Sequence, residues 1–218
     1  MKRRPQALLL DAMGTLIGLR QSVGSSYAAL ANDFGLAADA AAIDRAFPQV
    51  YCQAPPLAFP GLAGEALREA EIAWWGARIE AVLQGALPDP EQQLAEGLPD
   101  GLAQALFEHF ADPDLWRVYP EVPACLERWR ERGLRLAVVS NFDSRLPGLL
   151  EGLGVAQHLS AVVVSSAAGA AKPDPAPYRL ALEALDLPPE AVWHVGDSPE
   201  DDAGAQAAGI RCLLVERA

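Results

Sequence analysis

The sequence predicts an α/β protein with a parallel-sheet core and an all-helical subdomain inserted after the first strand. Three observations support this fold class. Short apolar runs recur along the chain, helical patterns lie between those runs after residue 134, and a long interval near the N-terminus has helical patterns without a convincing strand. Short Val- and Leu-rich strands alternating with helices are typical of a parallel sheet with helices on both faces.

The predicted strands are apolar runs of the kind that is buried on both faces of such a sheet. The first run, QALLL, ends at Asp11 and leads directly into a tight turn with Gly14. The five runs lie at residues 6–10, 134–140, 159–166, 191–197 and 210–215. Helical patterns accompany them at 121–133, 144–151, 175–186 and 199–208. Gly133 suits the C-terminal cap of the first of these helices.

The interval from residue 17 to residue 116 is predicted to be the helical insertion. Its periodic segments lie at 22–35, 40–51, 64–84 and 101–111, and prolines separate them. We therefore expect two discontinuous parts, a core made of residues 1–16 and 117–218 and a helical cap made of residues 17–116.

Composition and charge limit the function classes. Of the 218 residues, 51% are hydrophobic and 21% are charged, which is typical of a folded soluble protein. The net charge of −12 disfavours nucleic acid and anionic membranes as partners. The apolar run at the N-terminus is too short for export or a membrane span. A cytoplasmic location is therefore expected. Cys52, Cys125 and Cys212 have no paired spacing, so we expect reduced thiols. We also expect a monomer or weak dimer.

Polar residues follow the predicted strands where each strand ends. They are Asp11, Ser140 with Asn141, and Asp197, and further along the chain come Lys172, Asp201 and Asp202. Each one alone is adequately explained as a turn former, a helix cap or a solvated charge. Together they converge on one edge of a parallel sheet, and ligands bind at that edge in open α/β folds.

Carboxylates crowded at one edge need a cation. Mg²⁺ prefers oxygen ligands and would neutralise Asp11, Asp197 and Asp202 while leaving a place for a phosphate oxygen. Lys172 and the Ser140 hydroxyl would donate to the other phosphoryl oxygens. Asp11 would be the nucleophile that forms an aspartyl-phosphate. The pattern thus predicts a site for a small phosphorylated metabolite.

Four segments in this order resemble the motifs of the haloacid dehalogenase superfamily. They are LLLDAMGTL with Asp11, VVSNFD with Ser140, AAKPDPAPY with Lys172, and VGDSPEDDAGAQAAG with Asp197 and Asp202. The resemblance covers residues 5–15 and 117–216 and implies a Rossmann-like core with a C1-type helical cap. Two further segments, RGLRLAVVSNFDSRL and FADPDLWRVYP, look most like the branch of haloacid-dehalogenase-like hydrolase domain-containing proteins.

The chain departs from the family pattern at Met13. Phosphatases of the family usually carry a second Asp there, which protonates the leaving group and then activates water. A thioether cannot transfer protons, and general acid-base catalysis contributes about 10² to 10⁴ in rate. The backbone carbonyl of Met13, a metal ligand according to the resemblance, does not depend on the side chain.

Three hypotheses therefore remain open. The first is a Mg²⁺-dependent phosphohydrolase, weakened by Met13. The second is a protein of this family that binds phosphate or metal with little turnover. The third is a metal-independent 2-haloacid dehalogenase, since those relatives also lack the second Asp. Retention of Asp197 and Asp202 favours a metal, because unshielded carboxylates would repel one another.

Overall fold

The computed structural model describes residues 4–216. A five-stranded parallel sheet has the strand order β5-β4-β1-β6-β7. Its strands, taken in chain order, are β1 (Ala7–Leu10), β4 (Arg135–Ser140), β5 (Ala161–Val164), β6 (Val192–Gly196) and β7 (Arg211–Leu214). All five predicted runs are strands, and the predicted fold class of a parallel-sheet core with an inserted helical region is confirmed.

Two short strands were missed by the sequence analysis. They are β2 (Ile17–Leu19) and β3 (Trp116–Val118), which pair as a separate two-stranded sheet. Each strand has three residues, which is too short to establish an alternating pattern, and the partners lie far apart in sequence. The helical region lies between them in the chain.

The helices of that region are α1 (Val23–Asp33), α2 (Ala40–Cys52), α3 (Gly64–Ala86), α4 (Pro90–Gln93) and α5 (Leu102–His109). The remaining helices are α6 (Val122–Glu131), α7 (Leu146–Gly152), α8 (Ser165–Ala168), α9 (Ala176–Leu185) and α10 (Pro199–Ala207). Local chemistry explains several helix ends. Ser22 and Asp39 cap α1 and α2 by accepting backbone N–H bonds, and Gly133 adopts the left-handed conformation (φ 77°) beyond α6.

The chain forms two compact units, which we describe separately. The first contains the residues up to Gly18, Pro56–Leu67 and the residues from Trp116 onward, and the second contains Leu19–Pro55 and Arg68–Leu115. The segment Pro56–Leu67 thus groups with residues of the sheet although it lies within the interval 17–116. The division into a core of 1–16 and 117–218 and a cap of 17–116 stays a prediction.

Each unit has its own apolar core. In the first unit, one face of the sheet packs on α9 and α10 through alternate strand residues such as Ala7 and Leu9 on β1 and Ala137 and Val139 on β4. In the second unit, side chains of α1, α2, α3 and α5 pack around the fully buried Ile43 and Leu83. Within residues 4–216, none of the helices has the length and apolar character required to cross a bilayer.

Candidate active site

The central strands place three polar residues at one edge of the sheet. β1 lies between β4 and β6, with Leu10 in register with Val138 on one side and Val195 on the other. Asp11 continues β1 and donates its N–H to the Val195 carbonyl (2.9 Å). Ser140 ends β4, and Asp197 follows β6 directly. Because parallel strands point their carboxyl ends the same way, these residues share the ligand-binding edge.

Asp11 is buried and receives two side-chain donors on the same oxygen. The Lys172 ammonium lies 2.6 Å from Asp11 Oδ1, and the Ser140 hydroxyl donates to that atom over 3.1 Å. Among residues 4–216 no hydrogen bond reaches Oδ2. Hydrogen bonds to Oδ1 therefore orient the Asp11 carboxylate, while the lone pairs of Oδ2 accept no hydrogen bond from the described residues.

A second carboxylate, Asp201, completes the ion pair with Lys172. It is 1% exposed, and its Oδ1 lies 2.6 Å from the Lys172 ammonium and 2.8 Å from Nε2 of His194. Its Oδ2 accepts the backbone N–H groups of Asp197 and Ser198 and the Ser198 hydroxyl, at 3.2, 3.1 and 2.7 Å. Five donors thus saturate Asp201, which gives it a single well-defined orientation.

Three carboxylates form the acidic cluster, which we define as Asp11, Asp197 and Asp201. One oxygen from each lies within 4.8 Å of the oxygens of the other two. Such a set of hard oxygen ligands suits a divalent cation. Within the cluster Asp197 is the exposed member, whereas Asp11 and Asp201 are buried.

The structure places Asp201 in this cluster, and the predicted ligand Asp202 lies outside it. The metal-binding role expected of Asp202 stays a prediction. Adjacent residues of a helix point in directions about 100° apart, so only one of the two can face the sheet edge. Asp201 faces it, and Asp202 instead accepts a hydrogen bond from Gln206 one turn later (2.7 Å). Ser198 and Asp201 form a capping box at the start of α10, a spacing that the sequence itself displays and that could have identified Asp201.

Gly14 brings the turn after β1 against the acidic cluster. It has a φ of +84°, and a Cβ at this position would lie 2.0 Å from Asp197 Oδ2. Glycine is therefore required both by the backbone conformation and by the close approach. Met13 precedes it with a side chain that is 42% exposed, so no carboxylate occupies this position beside Asp11. The predicted role of the Met13 carbonyl as a metal ligand stays a prediction.

Lys172 is held at its backbone as well as at its ammonium group. The side-chain amide of Asn141 accepts the Lys172 N–H (2.7 Å) and donates to the Lys172 carbonyl (3.0 Å). Asn141 follows Ser140 directly, so the end of β4 positions both the hydroxyl and the lysine. The Lys172–Pro173 peptide bond is cis.

The charges in the site shift one another's pKa values. Burial alone would lower the pKa of Lys172, but the carboxylates of Asp11 and Asp201 outweigh it and raise that pKa above its usual value. Burial opposes ionisation of Asp201 too, yet the hydrogen bond from His194 and the charge of Lys172 bring its pKa well below its usual value. Partial burial and the charges of Asp11 and Asp201 raise the pKa of Asp197.

The structure thus brings Asp11, Ser140, Lys172 and Asp197 together, as the sequence analysis expected, although their chemical roles stay predictions. Sequence reasoning overlooked His194, which lies inside the apolar run AVWHVGD and is completely buried. A histidine within a buried strand, three residues before a candidate ligand, is the feature that could have directed attention to it.

A parallel sheet with a buried lysine and three carboxylates at the carboxyl ends of its strands defines an open α/β protein with a charged ligand-binding edge. Comparison with known proteins specifies the family. The family described as haloacid dehalogenase-like hydrolase matches residues 5–209. The chain belongs to this family, which confirms the resemblance on which the sequence analysis relied.

Proteins similar to this chain occur in a mammal and in bacteria. The chain is 38% identical over 219 residues to haloacid dehalogenase-like hydrolase domain-containing protein 3 of Bos taurus, covering 99% of this chain and 84% of that protein. It is 38% identical over 154 residues to a phosphoserine phosphatase of Thermus thermophilus, covering 68% of this chain and 59% of that protein. The structure of L-2-haloacid dehalogenase from Xanthobacter autotrophicus is similar in fold, with a TM-score of 0.65, 21% identity, and coverage of 97% and 77%.

Proposed function

We propose that this hydrolase is a Mg²⁺-dependent phosphohydrolase of a small phosphorylated metabolite that works through an aspartyl-phosphate on Asp11. The observation that carries the proposal is the environment of Asp11. Lys172 and Ser140 both hold Oδ1, and the carboxylates of Asp197 and Asp201 lie beside it. A buried carboxylate oriented by a cation, with one oxygen that receives no donor, is arranged for nucleophilic attack.

Two displacements at phosphorus complete the proposed reaction. Oδ2 of Asp11 attacks the phosphorus atom, the bond to the leaving-group oxygen breaks, and that oxygen departs with the electron pair. Water then attacks the phosphorus of the aspartyl-phosphate, which releases inorganic phosphate and restores the Asp11 carboxylate. Lys172 and Ser140, which hold Oδ1 in the free protein, are placed to donate to phosphoryl oxygens during both displacements.

The acidic cluster fits a divalent cation by the chemistry of its donors. Asp11 and Asp197 would bind the ion directly, with the Met13 carbonyl as the further ligand that the family resemblance implies. Asp201 would not bind the ion directly, because five donors already occupy its two oxygens. Its role would be to hold Lys172 in place. When bound, Mg²⁺ would neutralise the carboxylates and polarise the phosphoryl group.

Met13 restricts the leaving group in this proposal. Its side chain can neither protonate the departing oxygen nor deprotonate the attacking water. We therefore propose that the natural substrate carries a leaving group that is stable as an anion, such as a carboxylate or a phenolate. An alkyl alkoxide would leave slowly from the same site.

Hydrolysis of acetyl phosphate and p-nitrophenyl phosphate, with Mg²⁺ and with EDTA, tests the proposal. We expect turnover that EDTA abolishes and that Asp11→Asn lowers by at least about a thousandfold. Asp33→Asn is the matched control, because it removes a carboxylate from the exposed surface of α1. Turnover that survives either EDTA or Asp11→Asn contradicts the proposal.

Met13 also supports a second candidate, metal-independent 2-haloacid dehalogenation. In that reaction Asp11 attacks the halogen-bearing carbon, the halide leaves, and water hydrolyses the resulting ester. Chloride release from 2-chloropropionate in the presence of EDTA is the result that this candidate requires. The three carboxylates of the acidic cluster argue against it, because without a metal ion the single ammonium group of Lys172 faces three negative charges.

A further inference from the structure

His194 lies at the centre of the first unit, next to the proposed site. It belongs to β6, is completely buried, and pairs in register with Leu9 of the central strand β1. Its Nε2 lies 2.8 Å from Oδ1 of Asp201. The same oxygen accepts the Lys172 ammonium over 2.6 Å, so His194 and Lys172 share one acceptor.

The surroundings of the His194 ring determine which tautomer it adopts. Nδ1 is buried, and within the part of the chain that the structure describes it has no hydrogen-bond partner. A proton on Nδ1 would therefore be a buried donor without an acceptor, which costs about 1 to 3 kcal/mol. The neutral tautomer with the proton on Nε2 avoids this cost and donates to Asp201.

Packing fixes both partners of this hydrogen bond. The Tyr178 ring meets the His194 ring edge-on, with centroids 5.0 Å apart and planes at 89°. The Tyr178 hydroxyl donates to the backbone carbonyl of Asp201 (3.1 Å). A Cβ on Gly196 would lie 2.3 Å from the Asp201 carboxyl carbon, so the strand passes directly against this carboxylate.

We propose that His194 is a positioning residue that orients Asp201 and, through it, aims the Lys172 ammonium at Asp11. His194 contacts neither the substrate nor the metal in this role. Oδ1 of Asp201 accepts from two donors, His194 and Lys172. Without the His194 donor, Oδ1 can rotate and draw the Lys172 ammonium away from Asp11. The inference rests on the proposed function, because it assigns His194 to the same phosphoryl site.

Two substitutions separate the hydrogen bond from the packing. In His194→Gln the side-chain Nε2 occupies the same position along the side chain as the ring Nε2, so a donor remains. In His194→Leu an apolar side chain removes it. Leu185→Ala is the control for general destabilisation, since Leu185 belongs to the same apolar core and is 1% exposed.

Calorimetric binding of Mg²⁺ together with beryllium fluoride, a mimic of the phosphoryl group on an aspartate, is the measurement. Loss of a residue that orients a ligand-binding group typically weakens binding 10- to 100-fold, so we expect about that loss in His194→Leu. We expect His194→Gln to lie within about threefold of the wild type, and Leu185→Ala to lower the unfolding temperature without weakening binding.

The outcomes distinguish this inference from the proposed function. A wild-type protein that does not bind the probe contradicts the phosphoryl site and the role of His194 together. A wild-type protein that binds, with His194→Leu binding equally well or His194→Gln binding as poorly as His194→Leu, overturns the role of His194 alone. If His194→Leu does not fold, a long-range ¹H–¹⁵N spectrum of the wild type decides. A ring that carries no proton on Nε2 at neutral pH cannot donate to Asp201 and overturns the inference, whereas a proton on Nε2 supports it.

Discussion

Two adjacent aspartates of α10 have opposite surroundings. Asp201 is buried and accepts hydrogen bonds from His194, Lys172 and Ser198, whereas Asp202 accepts one bond from Gln206 near the surface. The two residues have the same side chain, and they differ only in their angular position around the helix axis. Substituting each residue in turn therefore compares the loss of a buried charge at Asp201 with the loss of a surface charge at Asp202.

Asp201→Asn is expected to destabilise the protein by about 3 to 5 kcal/mol, because it leaves the buried Lys172 ammonium with one carboxylate fewer. Asp202→Asn is expected to change stability by less than about 0.5 kcal/mol. Urea unfolding in EDTA measures both variants. Equal effects of the two substitutions would contradict the assignment of Asp201 to the acidic cluster.

Met13→Asp introduces the carboxylate that this position lacks. We expect hydrolysis of an alkyl phosphate such as glycerol 3-phosphate to rise at least about tenfold, because proton transfer to a poor leaving group is what the wild type lacks. Hydrolysis of p-nitrophenyl phosphate should change much less, since its leaving group needs little protonation. A pH profile of the variant shows whether the new carboxyl ionises. An equal gain on both substrates would contradict the explanation based on the leaving group.

Part of the site was predictable from single residues. Asp11, Ser140, Lys172 and Asp197 were found because each follows a strand or a loop that parallel topology brings to one edge. Asp201 was considered beside Asp202, but Asp202 was chosen, although the capping-box spacing of Ser198 and Asp201 favours Asp201. His194 was overlooked, because it lies in an apolar strand whose pattern indicates only burial.

The strands and helices were more predictable than their contacts. All five apolar runs became strands. Burial on both faces explains the continuous hydrophobic pattern of the central strands β1 and β4, whereas the edge strand β7 is largely exposed. The ribbon of β2 and β3 was missed because its stability comes from pairing between distant segments, which local sequence does not encode. Likewise, the grouping of Pro56–Leu67 with the sheet residues depends on tertiary contacts, such as the bond from the Phe59 N–H to the Ser166 carbonyl (3.0 Å).

Two helical glycines have opposite environments. In α10 a Cβ on Gly204 would lie 2.7 Å from the Tyr178 ring and 3.2 Å from the Pro173 backbone, whereas in α7 a Cβ on Gly148 meets nothing within 4 Å. The first glycine is a packing requirement for the element that carries Asp201. The second contributes only backbone freedom to the unfolded chain.

Gly204→Ala is therefore expected to lower stability by about 1 to 3 kcal/mol through overpacking. Gly148→Ala is expected to raise it by about 0.5 to 1 kcal/mol, because alanine restricts the unfolded chain and favours helix. Thermal unfolding of the two variants is the measurement. If Gly204→Ala were as stabilising as Gly148→Ala, the close packing of α10 on Tyr178 would be contradicted.

The stability of the whole molecule depends on pH through the acidic cluster. The net charge is −12, and Asp197 adds a third carboxylate beside Asp11 and Asp201. Partial burial and these two charges raise the pKa of Asp197 in the folded state. The folded protein therefore binds this proton more tightly than the unfolded chain. The ionised Asp197 carboxylate lowers stability above the raised pKa, and this penalty disappears as the pH falls through the raised pKa toward the ordinary value for an aspartate. For Asp201, whose folded pKa is lowered, the sign is opposite and stability is lost only in stronger acid.

In EDTA at neutral pH, Asp197→Asn should be more stable than the wild type by up to about 1 kcal/mol, since the exposed position limits the effect. The difference should shrink as the pH is lowered from 7 toward 4. Saturating Mg²⁺ should reverse it, because the ion binds the wild-type carboxylate. Urea unfolding midpoints across this pH range, in EDTA and in Mg²⁺, measure these differences in stability. If Asp197→Asn were less stable than the wild type in EDTA, repulsion between Asp197 and its neighbouring carboxylates would be contradicted.

For the whole molecule, the proposed function requires that Asp11 accepts a phosphoryl group during turnover. Acid quenching during turnover of ³²P-labelled acetyl phosphate, followed by borohydride reduction and peptide mass spectrometry, tests it most directly, because an acyl phosphate on Asp11 is reduced to homoserine. We expect labelled protein in Mg²⁺, no label in EDTA or in Asp11→Asn, and homoserine at position 11. Hydrolysis that continues without any label on Asp11 would contradict it.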